Sequence, residues 1–257
     1  MEGISAGGYA TRSCLAARSG ASEVKNILGI DACMKLCTPE DLRLDVLPSE
    51  AQAVFRALGL LDFLRADGWY LAGGTALALQ AGHRVSLDLD FFTPHSKFSI
   101  SDIERVLGGA GQWETTLASE GTLYGNFLGA KVSFIAYPFF KPSPPALQCG
   151  TVDILSPDDV AVMKVIVVSQ RGKKRDFVDL YWYMAVYGAE LFSLMMRVLK
   201  QYPQAHNVQH LIKSMTYFVD AEEDAMPKLF FDADWEKVKA YFRAEVPKVA
   251  KALLRLE

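Results

Sequence analysis

The chain lacks the features that would place it in several special classes of protein. No apolar stretch approaches the ~20 consecutive residues that span a membrane, although 51% of its 257 residues are hydrophobic. That proportion supports a substantial buried core. Basic residues are not in excess, since 27 Lys and Arg stand against 30 Asp and Glu. The net charge of −3 excludes a general basic field, so RNA binding would require a local positive patch.

Cysteine and histidine are also scarce and poorly spaced for binding a metal. The four cysteines form no CxxC pair, and the four histidines show no ligand-like spacing. Neither a zinc site nor a disulfide framework is therefore predicted, and the expected compartment is the reducing cytoplasm.

The first 33 residues lack both the apolar core of a signal peptide and the side chains that build a folded core. They are rich in Gly, Ala and Ser. Such a segment buries too little apolar surface to offset its ordering entropy. We predict that residues 1–33 form a loose N-terminal tail.

The rest of the chain changes pattern near residue 155. Up to that point, a helix over about 49–66 and other helical segments alternate with short apolar strands, and 115–118, 123–128 and 128–138 form an antiparallel set. Ser156-Pro157 is a strong helix start, and helices are predicted over about 157–169, 176–187, 190–201, 206–221 and 234–254. The prediction is an α+β protein, with a mixed-sheet core and flanking helices at 34–155 and a helical C-terminal domain at 156–257.

The stretch HRVSLDLDFF (83–92) carries an unusual pair of carboxylates. As a strand, it would place Val85, Leu87, Leu89 and Phe91 on one face and Arg84, Ser86, Asp88 and Asp90 on the other. Asp is depleted in strands, so two of them about 6.6 Å apart along the backbone require an explanation. They suit Mg²⁺, which takes one or two carboxylates and completes its shell with water and phosphates. The alternative is the solvated face of an edge strand.

A glycine turn precedes this acidic pair. The apolar segment 69–72 breaks at Gly73 and Gly74, and Thr75 begins a run of good helix formers. A strand, a glycine turn and a helix N-terminus together offer free N–H groups and the positive end of a dipole to a phosphate. Glycine pairs at such junctions are common, so the turn predicts a phosphate site only together with the carboxylates that follow it. Together they predict a nucleoside triphosphate site, in which Ser86 is a candidate lining residue and Arg84 meets phosphate or pairs with Asp88.

These motifs resemble a known family. Gly73-Gly74, thirteen residues and then Asp88-Leu89-Asp90 are similar to the glycine signature and acidic pair of the nucleotidyltransferase fold of DNA polymerase beta. More closely, GGTALALQAGHRVSLDLDFF resembles the AbiEii/AbiGii toxin family, the nucleotidyltransferase-like half of abortive-infection toxin–antitoxin pairs. The resemblance extends to SPDDVAVMKV and RGKKRDFVDLY and covers roughly 42–254. Family members tend to begin near Met34, which is therefore the expected start.

The resemblance assigns roles to residues whose types leave alternatives open. Lys164 lies on an apolar stripe, where lysine often only extends to water, but the family implies contact with nucleotide phosphates. Asp176 opens a helix, where its ordinary role is capping, and the family places it in the site. A run of cations forms either a solvated loop or a phosphate-binding patch: Arg171, Lys173, Lys174 and Arg175.

One position departs from the pattern of the fold. Polymerase-beta-like folds usually add a third carboxylate on the neighbouring strand, and that position here is Ser133. A hydroxyl lacks the charge to bind a second metal or to deprotonate an acceptor. Either one metal suffices, or the base comes from elsewhere, with Asp176 as a candidate replacement, or the chain performs no nucleotidyl transfer.

The expected function is Mg²⁺-dependent transfer of a nucleotide from an NTP to a hydroxyl of RNA, tRNA foremost, or of protein. Asp88 and Asp90 would hold the Mg²⁺, and Asp88, Asp90, Lys164 and Asp176 would be the catalytic residues. The resemblance implies a cognate antitoxin as partner, and no membrane association is expected. Two alternatives remain: a non-catalytic nucleotide- or partner-binding module, favoured by Ser133, and a small-molecule nucleotidyltransferase that modifies antibiotics.

Overall fold

A mixed β-sheet forms the centre of the protein and carries helices on both faces. The computed structural model describes residues 41–145, 147–203 and 207–253. The predicted tail at 1–33 and the expected start at Met34 lie outside these residues. The strands are β1 (Tyr70–Leu71), β2 (Leu89–Thr93), β3 (Trp113–Ser119), β4 (Thr122–Phe127), β5 (Ala130–Ala136), β6 (Leu147–Cys149) and β7 (Val152–Ile154).

The helices precede, interrupt and follow these strands. They are α1 (Ser49–Leu58), α2 (Phe63–Ala66), α3 (Gly73–Ala81), α4 (Ile100–Ala110), α5 (Pro157–Gln170), α6 (Lys174–Tyr181), α7 (Leu191–Gln201), α8 (Val208–Ser214), α9 (Val219–Glu222) and α10 (Trp235–Leu253). A short 3-10 helix at Leu44–Val46 precedes α1, and a π-helical segment at Trp182–Val186 extends α6. No helix among these residues is both long and apolar enough to cross a membrane.

The seven strands lie in the order β3-β4-β5-β2-β1-β7-β6. β2 pairs in parallel with β5 and antiparallel with β1, and β1 pairs in parallel with β7. β3, β4 and β5 form an antiparallel meander. The α+β class, with a mixed sheet followed by a helical region, is therefore confirmed.

The two faces of the sheet differ because side chains alternate along each strand. Phe91 on β2 stacks on Phe134 on β5, and Phe134 also contacts Trp69 and Phe63. This mainly apolar face packs against α1 and α4 and forms the core. The opposite face, which carries Asp90 and Ser133, is covered by α3 and α5. Asp90 and Ser133 therefore project from the sheet towards α3 and α5.

Three sequence expectations about regular structure are corrected. Only Leu89–Thr93 of the predicted strand 83–92 is a strand. Residues before it run in an irregular path, in which Val85 N–H donates to the Lys228 carbonyl at 3.0 Å and Ser86 N–H to the Val46 carbonyl at 3.0 Å. As a result Leu87, predicted to share a face with Leu89 and Phe91, has 59% of its surface exposed, whereas those two residues are buried.

The predicted helix over 49–66 ends at Leu58, and α2 begins only at Phe63. The break coincides with a close backbone approach, because the Gly59 carbonyl accepts the Thr151 N–H at 2.9 Å. A Cβ on Gly150 would lie 2.1 Å from that carbonyl oxygen. The predicted helix over 206–221 is likewise divided, into α8 and α9.

Two further expectations concern the cysteines and the domains. Cys149 is disulfide-bonded, so a disulfide is present at one position where none was predicted. The division between a core at 34–155 and a helical domain at 156–257 stays a prediction. In the structure α5 packs directly on α3 and on α6.

Candidate functional site

The glycine turn between β1 and α3 lies directly against the acidic strand. Ala72 N–H donates to the Asp90 carbonyl at 3.0 Å, which fixes the turn beside β2. Gly73 has a φ of +67°, and a Cβ there would lie 3.3 Å from Asp90 Oδ2. A Cβ on Gly74 would lie 1.9 Å from the Arg84 guanidinium. Both glycines therefore let the N-terminus of α3 approach a carboxylate and a cation closely.

Thr75 holds the irregular segment that leads into β2. Its hydroxyl is buried, lies 2.8 Å from Ser86 Oγ and donates to the Asp88 carbonyl. These bonds fix Asp88 just before the strand and Asp90 on it. Both carboxylates line the same cavity, although only Asp90 belongs to a strand.

The two carboxylates have different surroundings. Asp90 is half-buried and accepts a hydrogen bond of 2.6 Å from the Ser133 hydroxyl on β5. Burial raises the pKa of Asp90, the Asp88 charge adds to the rise, and the Ser133 hydrogen bond opposes it. Asp88 is one-third exposed and lies 3.6 Å from the Arg175 guanidinium.

Behind the acidic pair, Asp179 on α6 gathers three basic side chains. It accepts hydrogen bonds from Arg84 Nε at 2.5 Å and Nη2 at 2.9 Å. His83 Nε2 lies 2.8 Å and Lys164 Nζ 2.7 Å from the same carboxylate. Burial would raise the pKa of Asp179, but the charges of Arg84 and Lys164 hold it well below its usual range. Asp179 is therefore an anion that fixes two cations at the site.

Asp176 lies beside Asp179 and is also fully buried. Its carboxylate is 2.6 Å from Lys164 Nζ and 3.1 Å from Arg171 Nε. Burial would raise its pKa, and these two cations lower it overall. The structure directs Asp176 towards Lys164 and Arg171 and gives it no place in the lining of the cavity described next. Within the described part of the chain, no three His, Cys, Asp or Glu side chains gather in a metal-binding group.

A cavity of about 560 Å³ opens between the sheet and helices α5 and α6. The sequence-predicted residues that line it are Gly73, Gly74, Thr75, Arg84, Ser86, Asp88, Asp90, Lys164, Arg171 and Arg175. Ser133 lines it as well, together with side chains from β4 and the start of β5. Motifs separated by some hundred residues thus meet in one place.

Two cations of the predicted basic patch lie elsewhere. Lys174 is buried, and its ammonium donates to the Glu222 carbonyl at 3.3 Å and to the Asp224 carbonyl. It also lies 5.2 Å from the centre of the Trp235 ring. Lys173 is exposed and precedes α6 without lining the cavity. The patch is therefore divided, with Arg171 and Arg175 facing the cavity and Lys174 anchoring α6 to the segment before α10.

Sequence reasoning did not identify Asp179 or His83 as parts of this arrangement. Asp179 follows Asp176 by three residues, which places both carboxylates on one face of α6. That spacing is the one signal that could have indicated it. His83 is buried against Asp179 and Trp182, and burial lowers its pKa. A neutral imidazole in that position supports Asp179 as a hydrogen-bonding neighbour.

Comparisons with known proteins agree with this geometry. The family model described as nucleotidyl transferase AbiEii toxin, type IV toxin–antitoxin system, matches residues 57–120 and 133–255. The chain is also similar to an uncharacterized protein of Aquifex aeolicus (strain VF5), with 34% identity over 182 residues, or 70% of this chain and 87% of that protein. The family match includes the glycine turn, the acidic pair and helices α5 and α6. The chain belongs to the AbiEii nucleotidyl transferase toxin family of type IV toxin–antitoxin systems.

Proposed function

We propose that this toxin-family protein transfers a nucleotide from an NTP to a hydroxyl group of RNA, most specifically tRNA, or of protein, with Mg²⁺ as cofactor. The observation that carries the proposal is the contact between the glycine turn and the acidic pair. A backbone nest at the N-terminus of α3 and the carboxylates of Asp88 and Asp90 face one cavity. A triphosphate and a divalent cation need those two elements side by side.

The donor set fits Mg²⁺ held mainly by the nucleotide. Asp88 and Asp90 supply carboxylate oxygens, and Ser133 supplies a hydroxyl already engaged by Asp90. Mg²⁺ commonly binds one or two carboxylates and keeps water and phosphate oxygens in its remaining positions. When bound, it would neutralise charge on the phosphates and on the leaving pyrophosphate. Two carboxylates without a third are sufficient for that role.

The protein's own residues would then bind and orient the triphosphate. The free N–H groups at Gly73 to Thr75 bind phosphate oxygens, and glycine allows the close approach. Lys164 and Arg84 are positioned by Asp179, so their charges do not need to reorganise when negative charge develops during transfer. Arg175, 3.6 Å from Asp88, and Arg171, held by Asp176 beside Lys164, also line the cavity and complete the neutralisation. Ser133 fixes the carboxylate plane of Asp90.

The type IV toxin–antitoxin family suggests a cognate antitoxin partner. The acceptor hydroxyl would enter from the open side of the cavity, beside Asp88 and Arg175, which are partly exposed. Modification of tRNA or of a protein would block its use, which accounts for toxicity. The proposed substrates, NTPs and tRNA, assign this reaction to the cytoplasm.

The test is a transfer assay with purified protein, Mg²⁺, each of the four NTPs labelled at the α-phosphate, and total tRNA or cell protein. We expect label in one acceptor for the wild type and at least a ~10²-fold loss in Asp88→Asn, because charge stabilisation at the phosphates is lost. Asp220→Asn, at an exposed position outside the cavity, is the matched control and should retain activity. The transferase proposal fails if wild type labels no acceptor while it still binds nucleotide, and a nucleotide-binding module would then be the better description.

A further inference from the structure

The cavity has two chemically different halves. In the half next to the glycine turn, charged and hydroxyl groups are already paired with one another, as in Ser133 with Asp90 and Lys164 with Asp179. In the other half, the side chains of Tyr124, Asn126 and Gln170 line the cavity and form no hydrogen bond to any described residue. This second half therefore presents hydrogen-bonding groups that are free to meet a ligand.

The register of the sheet gives the distance between the halves. Asp90 on β2 pairs with Ser133 on β5, and Ser133 pairs with Tyr124 on β4. Neighbouring strands lie about 4.8 Å apart, so the backbone of Tyr124 is about 10 Å from that of Asp90. The α-phosphate and the ribose of a nucleotide together can span that separation. A ligand with phosphates at the glycine turn would place its far end over Tyr124.

The walls of the second half suit a flat, apolar ring with polar edges. Tyr124 keeps 41% of its surface exposed on the cavity face of the sheet. Met163 and Val167 on α5 line the same cavity from the opposite side. An aromatic ring below and aliphatic groups above form a slot for a planar heterocycle. Asn126 follows Tyr124 by two residues on β4, and its amide carries both a donor and an acceptor for the edge of such a ring.

We propose that the nucleobase of the bound NTP stacks on Tyr124 and that Asn126 and Gln170 hydrogen-bond its edge and select it. This inference rests on the proposed function, because it places the base of the same triphosphate. The segment that carries Tyr124 and Asn126 lies in the gap between the two ranges matched by the family model, 57–120 and 133–255. The glycine turn and the acidic pair thus lie on segments that the family model matches, whereas Tyr124 and Asn126 on β4 lie between those segments.

The experiment measures the affinity of wild type, Tyr124→Phe and Tyr124→Ala for each NTP with Mg²⁺ and for inorganic tripolyphosphate with Mg²⁺. Base–aromatic stacking is worth about 1–3 kcal/mol, so Tyr124→Ala should weaken binding of the NTPs roughly 5- to 150-fold. Tripolyphosphate affinity should stay within about twofold, and Tyr124→Phe should behave as wild type, since the ring is retained. Tyr217→Ala, which removes a 53% exposed tyrosine outside the cavity, is the matched control and should change neither affinity.

Selection is tested separately with Asn126→Ala and Gln170→Ala. Loss of a base-edge hydrogen-bond pair should reduce the ratio between the best and worst NTP by about 5-fold or more, with tripolyphosphate binding unchanged. An unchanged ratio in both variants would remove these residues from base selection.

Other outcomes contradict the inference in distinguishable ways. If Tyr124→Ala weakens tripolyphosphate and NTPs equally, the ring supports the phosphate half and does not hold a base. If it leaves every NTP affinity unchanged but weakens tRNA binding, the ring meets the acceptor. If wild type binds NTPs through Tyr124 but transfers nothing, the base site stands and the proposed reaction falls. If wild type binds neither NTPs nor tripolyphosphate, both fall together.

Discussion

At the scale of single residues, Asp179 holds several side chains of the candidate site together. It is fully buried and faces Arg84, Lys164 and His83. Removing one partner of a buried ion pair is more damaging than removing the whole pair, because the remaining charge is left without compensation. Asp179 therefore positions cations for the site and stabilises the fold at the same time.

We expect Asp179→Asn to lower the free energy of unfolding by about 3–5 kcal/mol at pH 7, measured by urea denaturation. The wild-type pKa of Asp179 is held well below its usual range, so its contribution is present above the unfolded pKa of about 3.9 and is lost as pH falls towards the folded value. Asp179→Asn should therefore also flatten the loss of stability below about pH 4. Asp220→Asn is the exposed control. Equal stability of Asp179→Asn and wild type would contradict this role.

At the scale of secondary-structure elements, the start of α3 depends on the absence of side chains. The Arg84 guanidinium fills the space that a Cβ on residue 74 would occupy. Arg84 in turn donates to Asp179. Because Gly74 has no Cβ, Arg84 can lie against the N-terminus of α3 and still reach Asp179 on α6.

Gly74→Ala should displace Arg84, since the new Cβ would lie 1.9 Å from Nη2. We expect NTP affinity to fall about tenfold or more, because a hydrogen bond to a charged group is worth ~1.5–3 kcal/mol. Gly109→Ala in α4 is the matched control, with no neighbouring atom within 4 Å of its new Cβ. It should leave affinity unchanged and raise stability by ~0.5–1 kcal/mol. Isothermal titration calorimetry and urea denaturation measure the two effects, and unchanged affinity in Gly74→Ala would contradict the displacement of Arg84.

The basic segment before α6 should separate into functional and structural cations. Arg175→Ala should weaken NTP binding and flatten its salt dependence, because the guanidinium lines the cavity. Lys174→Ala should instead lower the free energy of unfolding by about 1–3 kcal/mol, because the partly buried carbonyls of Glu222 and Asp224 lose their donor. Lys173→Ala, at an exposed position outside the cavity, should change neither quantity. Nucleotide titrations across a salt series, with thermal melts, would show whether all three cations act alike, as the sequence had suggested.

At the scale of the whole molecule, the sequence predicts what depends on local pattern. The start of α5 at Ser156-Pro157, the meander β3 to β5 and the alternation of Asp90 against Leu89 and Phe91 follow from capping residues and from side-chain periodicity. The family resemblance further predicted that the glycine turn, the acidic pair and the residues of α5 and α6 belong to one site. The path of 83–88 was not predictable, because its backbone partners are Val46 and Lys228, far away in sequence.

Contacts between residues far apart in sequence also explain why the roles of some site residues differ from those predicted. Arg84 and Asp179 are 95 positions apart, and no local pattern indicates that they pair. Lys174 and Arg175 are neighbours with the same charge, yet a helix start turns them in different directions. Charge sign is visible in a sequence, whereas the direction of a side chain depends on the packing of α6 against α5 and α10.

The acidic pair should also control how the whole molecule responds to its ligand. A ligand that binds only the folded state at 100 times its dissociation constant adds about 2.7 kcal/mol, so saturating Mg²⁺·NTP should raise the melting temperature by roughly 5–10 °C. Asp88→Asn should melt at or slightly above wild type without ligand, because one of two neighbouring negative charges has been removed. It should show little rise with Mg²⁺·NTP, since the cation and its phosphates lose a carboxylate. Asp220→Asn should shift as wild type does. An equal shift in Asp88→Asn would show that Mg²⁺·NTP binds without this carboxylate, and a lower melting point without ligand would show that Asp88 serves the fold instead.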